Sequence, residues 1–152
     1  DMGVIVGEFD DVSAVYGNAE IGVSMVTNAA RKALSAADSD ASYLVANELI
    51  KRRHNREFVE EVINDISKVD WVLERIENKI SELGAAVAYE AKTFTRNPNR
   101  IYLVGGGAML IETASREAYP SLGEKIVMIK EPQEALSREI CCYHAAEASD
   151  AA

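Results

Sequence analysis

Three consecutive glycines, Gly105, Gly106 and Gly107, stand between a short apolar run and a helix-like segment. Because glycine has no Cβ, a flat ligand can lie directly against the backbone of such a turn. The helix that begins behind the glycines would point unpaired N–H groups and a partial positive charge at the same place. The pattern predicts a floor for a nucleotide. The alternative is a tight strand-to-helix turn that serves only packing.

The composition is typical of a soluble globular protein and limits the kinds of partner. Of 152 residues, 27% are charged and the net charge is -9, which argues against direct binding to nucleic acid. The short basic cluster at residues 51–56 is interpreted as complementing the end of a helix. No run approaches the roughly 20 apolar residues of a membrane span, and no signal peptide is visible. We therefore expect no membrane partner.

The cysteines and histidines give no sign of a metal centre. Cys141 and Cys142 are adjacent, so a disulfide between them would be strained, and we expect reduced thiols in the cytosol. His54 and His144 lie far apart in the sequence, and no zinc-ligand spacing occurs. Nothing such as a GxSxG motif supports a catalytic triad.

Apolar periodicity predicts the order β-β-α-α-α-α-β-α-β-α, a sheet flanked by helices. Asn18 and Asp40 are the predicted caps of the first two helices, and Leu44, Val45, Leu49 and Ile50 the predicted core face of the second. A two-stranded hairpin is marginal alone, so we expect partner strands upstream and a longer protein. The predicted elements are a hairpin at 2–16 with its turn at 7–11, helices at 18–37, 41–53, 57–65 and 69–95, a strand at 101–104, a helix at 108–118, a strand at 126–129 and a last helix from 131.

Four segments resemble the C-terminal lobe of the ParM (StbA) family, the bacterial actin-like ATPases that segregate plasmids. The similarity covers nearly the whole chain with matching spacing, and residues 102–111 resemble the adenosine motif of the wider actin and Hsp70 superfamily. The matching segments are 15–27, 41–44, 102–111 and 132–135.

The resemblance implies an α/β fold, the second lobe of an actin-like (ribonuclease H-like) ATPase. Its core would be 1–37 and 70–145, with a small helical subdomain inserted at 38–69 and a frayed tail at 146–152. Asp1 would end the second phosphate loop, and the first lobe would precede this sequence. Arg138 or Glu139 stands where the family has glycine or another small residue, which leaves the role of the terminal helix open.

The resemblance also implies an adenosine pocket. Gly105, Gly106 and Gly107 would carry the adenine ring and the α-phosphate. Ala108 and Met109 would lie beside the base. Gly22 would let the nucleotide approach closely, or would serve only a helix-starting turn. Glu48 and Lys51 would reach the ribose and base from one helix face, or would form only a solvated ion pair.

The implied function is the nucleotide-binding C-terminal half of a filament-forming ATPase of the bacterial cytoplasm. The cofactor would be ATP or ADP with Mg²⁺, whose ligands lie mostly outside this chain, so we do not expect the chain alone to be catalytic. The partners would be further copies in a filament and a DNA-binding adaptor (ParR-like), without direct contact to nucleic acid. The alternatives are another ATPase or kinase lobe of the superfamily and a non-catalytic interaction module of the same fold.

Overall fold

The computed structural model describes residues 1–6, 11–132 and 134–135, in a mixed α/β arrangement. It divides into two compact units, Asp1–Val87 and Ala88–Ala152, whose boundary falls within one long helix. Short 3₁₀ helices lie at Ile66–Lys68 and Pro120–Lys125. The strands are β1 Met2–Val6, β2 Asp11–Tyr16, β3 Ile101–Leu103 and β4 Ile126–Met128, and the helices are α1 Val23–Ala36, α2 Tyr43–Arg52, α3 Arg56–Val62, α4 Val69–Phe94 and α5 Ala108–Ala118.

The strands form two small sheets. Antiparallel pairing of β1 with β2, with an irregularity between Val4 and Ile5, confirms the predicted hairpin, whose turn lies mostly outside the described residues. In the second unit β3 pairs in parallel with β4. Within the described ranges the single sheet expected from the sequence is therefore replaced by two two-stranded sheets. The actin-like lobe and its division at residues 38–69 stay predictions.

Helix α1 begins later than predicted. The Asn18 side chain accepts a hydrogen bond from the Glu20 N–H (3.0 Å), so it closes a local turn and does not cap the helix. Gly22 occupies the N-cap position without a side-chain bond. The predicted cap at Asn18 is therefore wrong. The periodicity predicts an apolar face of Ile21, Val23, Val26, Ala30 and Leu34, and it is confirmed at the last three, which are fully buried.

Helix α2 is capped by Ser42, which makes the predicted cap at Asp40 wrong. The Ser42 hydroxyl accepts from the Val45 N–H (3.3 Å), while Asp40 accepts from the Ser42 N–H (2.8 Å) in the preceding turn. Leu49 and Ile50 are buried as predicted, but Leu44 is 74% exposed. Five residues before Leu49, Leu44 lies off the stripe that residues three and four apart share.

Helix α4 follows the sequence prediction closely. Two arginines of the basic cluster form hydrogen bonds within the first unit. Arg53 donates to Glu77 Oε1 and to the Ile50 carbonyl, both at 2.8 Å. Arg56 bonds Glu60 and Asp70. These contacts favour the structural interpretation of the cluster. The buried side of α4 consists of Val69, Val72, Ile76, Ile80, Leu83 and Gly84.

The second unit is built on a small core under β3, β4 and α5. The helix spans the residues that the sequence predicts. The Tyr119 hydroxyl donates to the Thr95 carbonyl (3.1 Å), and burial raises the pKa of that phenol. The buried side chains of this core are Leu103, Ala108, Tyr119 and Ile126. Most of the predicted last helix, including Arg138, Glu139, Cys141 and Cys142, lies outside the described residues, as does the predicted tail at 146–152.

Candidate functional site

The three glycines form the loop that joins β3 to α5, which we call the glycine loop (residues 105–107). Gly105 has φ +90°, a conformation that strains any residue with a side chain. In the described part of the chain, Gly105 and Gly123 are the glycines with positive φ. The turn therefore explains Gly105, whereas the backbone conformation does not explain why Gly106 and Gly107 also lack side chains.

The hydrogen bonds of the glycine loop leave several donors open. The Gly105 N–H donates to the Pro132 carbonyl (2.7 Å), and the Ala108 N–H donates to the Gly105 carbonyl (3.1 Å). Gly107 is the N-cap of α5 and makes no side-chain cap bond. Among the described residues, the N–H groups of Gly106, Gly107 and Met109 have no acceptor. Open donors at a helix N-terminus are suited to an anion such as phosphate.

The two side chains predicted beside the loop differ in accessibility. Met109 is 70% exposed, so its flexible thioether is free to cover an apolar ring. Ala108 is 1% exposed and its methyl group packs in the core of the second unit. Ala108 could therefore adjoin the base only through its backbone, and its predicted place beside the base stays a prediction.

The other predicted site residues belong to the first unit. Gly22 has an extended backbone (φ -175°), and a Cβ there would meet only Ser24 Oγ at 3.9 Å. The fold of this unit thus does not require glycine at this position. Lys51 Nζ lies 3.1 Å from Glu48 Oε1 with both side chains exposed, as expected of a surface ion pair. These residues belong to the first unit, whereas the glycine loop belongs to the second.

Gly17 is a position whose importance the sequence did not reveal. A Cβ on Gly17 would lie 2.7 Å from Asp1 Oδ1, closer than unbonded atoms approach. A side chain at position 17 would therefore require the Asp1 carboxylate, the group that the resemblance places at a phosphate loop, to move. No local sequence pattern indicates this contact, because it joins positions sixteen residues apart.

The described residues contain neither a metal-ion site nor a membrane-spanning helix. Among those residues no group of three or more His, Cys, Asp or Glu side chains is placed to hold a metal ion. None of the helices in the same ranges combines the length and apolar character needed to cross a bilayer.

The second unit defines the class of site. A parallel β–α–β arrangement, with a glycine loop at the carboxyl end of its first strand, is where α/β proteins hold phosphate-bearing ligands. A search of curated proteins found no match. The family model described as plasmid segregation protein ParM, C-terminal, matches residues 1–143. The chain belongs to the ParM family of actin-like plasmid segregation proteins, which confirms the resemblance inferred from its sequence.

Proposed function

We propose that this chain is the adenosine-binding C-terminal half of a filament-forming actin-like ATPase that segregates plasmid DNA. Family membership supports the role in plasmid segregation. The observation that carries nucleotide binding is the glycine loop. Its Gly106, Gly107 and Met109 N–H groups have no acceptor among the described residues.

Each part of the loop has its own task in this proposal. Gly106 and Gly107 let the adenine ring and the α-phosphate approach the backbone, and their N–H groups donate to phosphate oxygens. Met109, exposed at the start of α5, packs against the base. The hydrogen bond from the Gly105 N–H to the Pro132 carbonyl anchors the start of the loop.

The donor set of the loop fits a nucleotide but not a metal ion. N–H groups and a thioether suit an anionic phosphate and a flat ring, whereas Mg²⁺ takes oxygen ligands. We therefore place most ligands of the ATP-bound Mg²⁺ outside this chain. When bound, Mg²⁺ would neutralise phosphate charge, and the chain alone would bind nucleotide without hydrolysing it.

Gly22, Glu48 and Lys51 are proposed as further contacts. The packing of the first unit leaves room for a side chain at Gly22, so packing does not explain why this residue is glycine. Close approach of a nucleotide would explain it. Glu48 and Lys51 pair with each other, so they would have to separate to reach a ribose or a base. That costs little, because an exposed ion pair is worth only about 0.2–1 kcal/mol.

The test is a Gly106→Val variant, which fills the proposed floor. We expect its affinity for a fluorescent ADP analogue to fall at least about tenfold, a change of about 1.4 kcal/mol. Thr113→Val is the matched control, since it also introduces a valine, but at an exposed position of α5. Unchanged affinity in Gly106→Val, or an equal loss in Thr113→Val, would show that the site is assigned wrongly.

Filament formation is tested separately, with this chain joined to the first lobe that the resemblance implies. We expect the joined protein to polymerise with ATP, both in vitro and in the bacterial cytoplasm. We also expect it to bind its plasmid through an adaptor (ParR-like). Sedimentation with ATP, with ADP and without nucleotide should show ATP-dependent pelleting that reverses as phosphate is released. Protein that binds ATP but never pellets would favour a non-polymerising ATPase or kinase instead.

A further inference from the structure

An open cleft of about 400 Å³ lies along α1 in the first unit. We call it the α1 cleft. Four of its lining residues have the spacing of a single helix face, which places their side chains on one side of α1. The cleft shares no residue with the glycine loop, nor with Gly22, Glu48 and Lys51. It is lined by Asn28, Arg31, Lys32, Ser35 and Ala41.

The α1 cleft offers hydrogen-bond donors and positive charge. Its polar side chains are an amide, a guanidinium, an ammonium and a hydroxyl, and no carboxylate is among the lining residues. The whole chain, by contrast, carries a net charge of -9. A donor-rich basic cleft in an acidic protein favours an anion over a neutral or cationic ligand.

Arg31 is held in place before any ligand binds. Its Nε donates to the Ala41 carbonyl (2.7 Å), and its guanidinium carbon lies 4.0 Å from the centre of the Tyr43 ring. Within the described ranges neither Arg31 nor Lys32 belongs to an ion pair. The two terminal nitrogens of Arg31 are thus a fixed fork with no acceptor there, which suits phosphate oxygens.

The length of the donor row indicates which anion fits. From Asn28 to Ser35 the helix rises about 10 Å, which exceeds the size of a single phosphate or carboxylate group. We propose that the α1 cleft binds the polyphosphate group of a small soluble molecule. Arg31 anchors it, Lys32 neutralises further charge, and Asn28 and Ser35 donate hydrogen bonds at the two ends.

The probe is inorganic tripolyphosphate, titrated calorimetrically into the chain at low salt without divalent cations. We expect saturable binding to one site. Arg31→Gln and Lys32→Gln should each weaken it about tenfold, because each removes a charge-assisted contact. Arg31→Lys keeps the charge but loses the fork, so it should also bind several-fold more weakly. Lys92→Gln, an exposed lysine on α4 in no ion pair among the described residues, is the control and should change nothing.

Four outcomes would overturn the proposal. The first is no saturable binding, and the second is an equal loss in Lys92→Gln, which would indicate general attraction to charge. The third is loss of binding in Gly106→Val, which would place the tripolyphosphate on the glycine loop. The fourth is equally tight binding of a hexaglutamate peptide, which would identify the cleft as a contact for acidic protein. If circular dichroism shows that Arg31→Gln is unfolded, the exposed Lys32→Gln decides.

Discussion

Four helices of this protein begin in two different ways. Helices α2 and α3 are capped by side chains, since Ser42 accepts from the Val45 N–H and Asn55 accepts from the Phe58 N–H. Helices α1 and α5 begin at Gly22 and Gly107, and neither glycine provides a side-chain bond. The capped starts use their donors for stability. The uncapped starts carry Gly22 and Gly107, which the resemblance places at the nucleotide, and no cap side chain occupies the first N–H groups there.

The variant with the largest predicted loss of stability, Leu49→Ala, tests whether the capped helix α2 stabilises the fold. Leu49→Ala opens a cavity at a fully buried position, and we expect it to lower the free energy of unfolding by about 2–5 kcal/mol. Leu44→Ala removes the same atoms from the exposed side of α2 and should change it by less than about 0.5 kcal/mol. Urea denaturation measures both. Equal losses would mean that α2 buries a different face.

The next effect concerns the loop before the uncapped helix α5. Gly105→Ala meets no neighbouring atom within 4 Å but forces a side chain onto a backbone with φ +90°. We expect a loss of stability of about 1–3 kcal/mol from strain alone. Met109→Ala, at an exposed position of the same segment, is the control for thermal unfolding. A Gly105→Ala variant as stable as its parent would show that the loop adopts another conformation in solution.

A smaller effect isolates the cap itself. Ser42→Ala removes the acceptor of the Val45 N–H and should destabilise the protein by about 1 kcal/mol. Ser81→Ala replaces an exposed serine inside α4, where no cap is lost, and should have almost no effect. Chemical denaturation compares the two. Loss of stability only in Ser81→Ala would contradict the assigned cap.

The smallest effect depends on pH. The hydrogen bond from the Ser67 hydroxyl, and then Lys68, hold the pKa of Asp65 below its ordinary value of 3.8. The ionised Asp65 carboxylate therefore stabilises the folded state above pH 3.8, and this stabilisation disappears as the pH falls through the lowered pKa. Asp65→Asn should lower the unfolding midpoint at neutral pH and match the parent in strong acid. A difference that stays constant with pH would exclude this linkage.

The sequence predicted the elements whose signal is local and repeated. Helix α4 matched because apolar residues recur along its whole length, and α5 matched because glycines precede it and Pro120 follows. The caps at Asn18 and Asp40 were wrong because these side chains bond to nearby backbone in turns before the helices. Such competition is decided by local geometry that residue type alone does not reveal.

Other features depend on residues far apart in the chain. The bond between Gly105 and Pro132 and the fit of Asp1 against Gly17 join distant positions, so no sequence spacing indicates them. The residues of the α1 cleft form a recognisable helical row, but the contacts of Arg31 with Ala41 and Tyr43 appear only in the fold. Within the candidate site, the glycine loop is recognisable from residue types alone, whereas the burial of Ala108 is not.

The most direct test of nucleotide binding follows backbone amides by ¹H–¹⁵N NMR while ADP is added to the chain. We expect saturable shifts at the Gly106, Gly107 and Met109 amides. The capped amides of Val45 and Phe58 should move far less, because their hydrogens are already bonded. Glycine-loop amides that stay in place, or that move no more than the capped ones, would contradict the proposal that this loop binds adenosine.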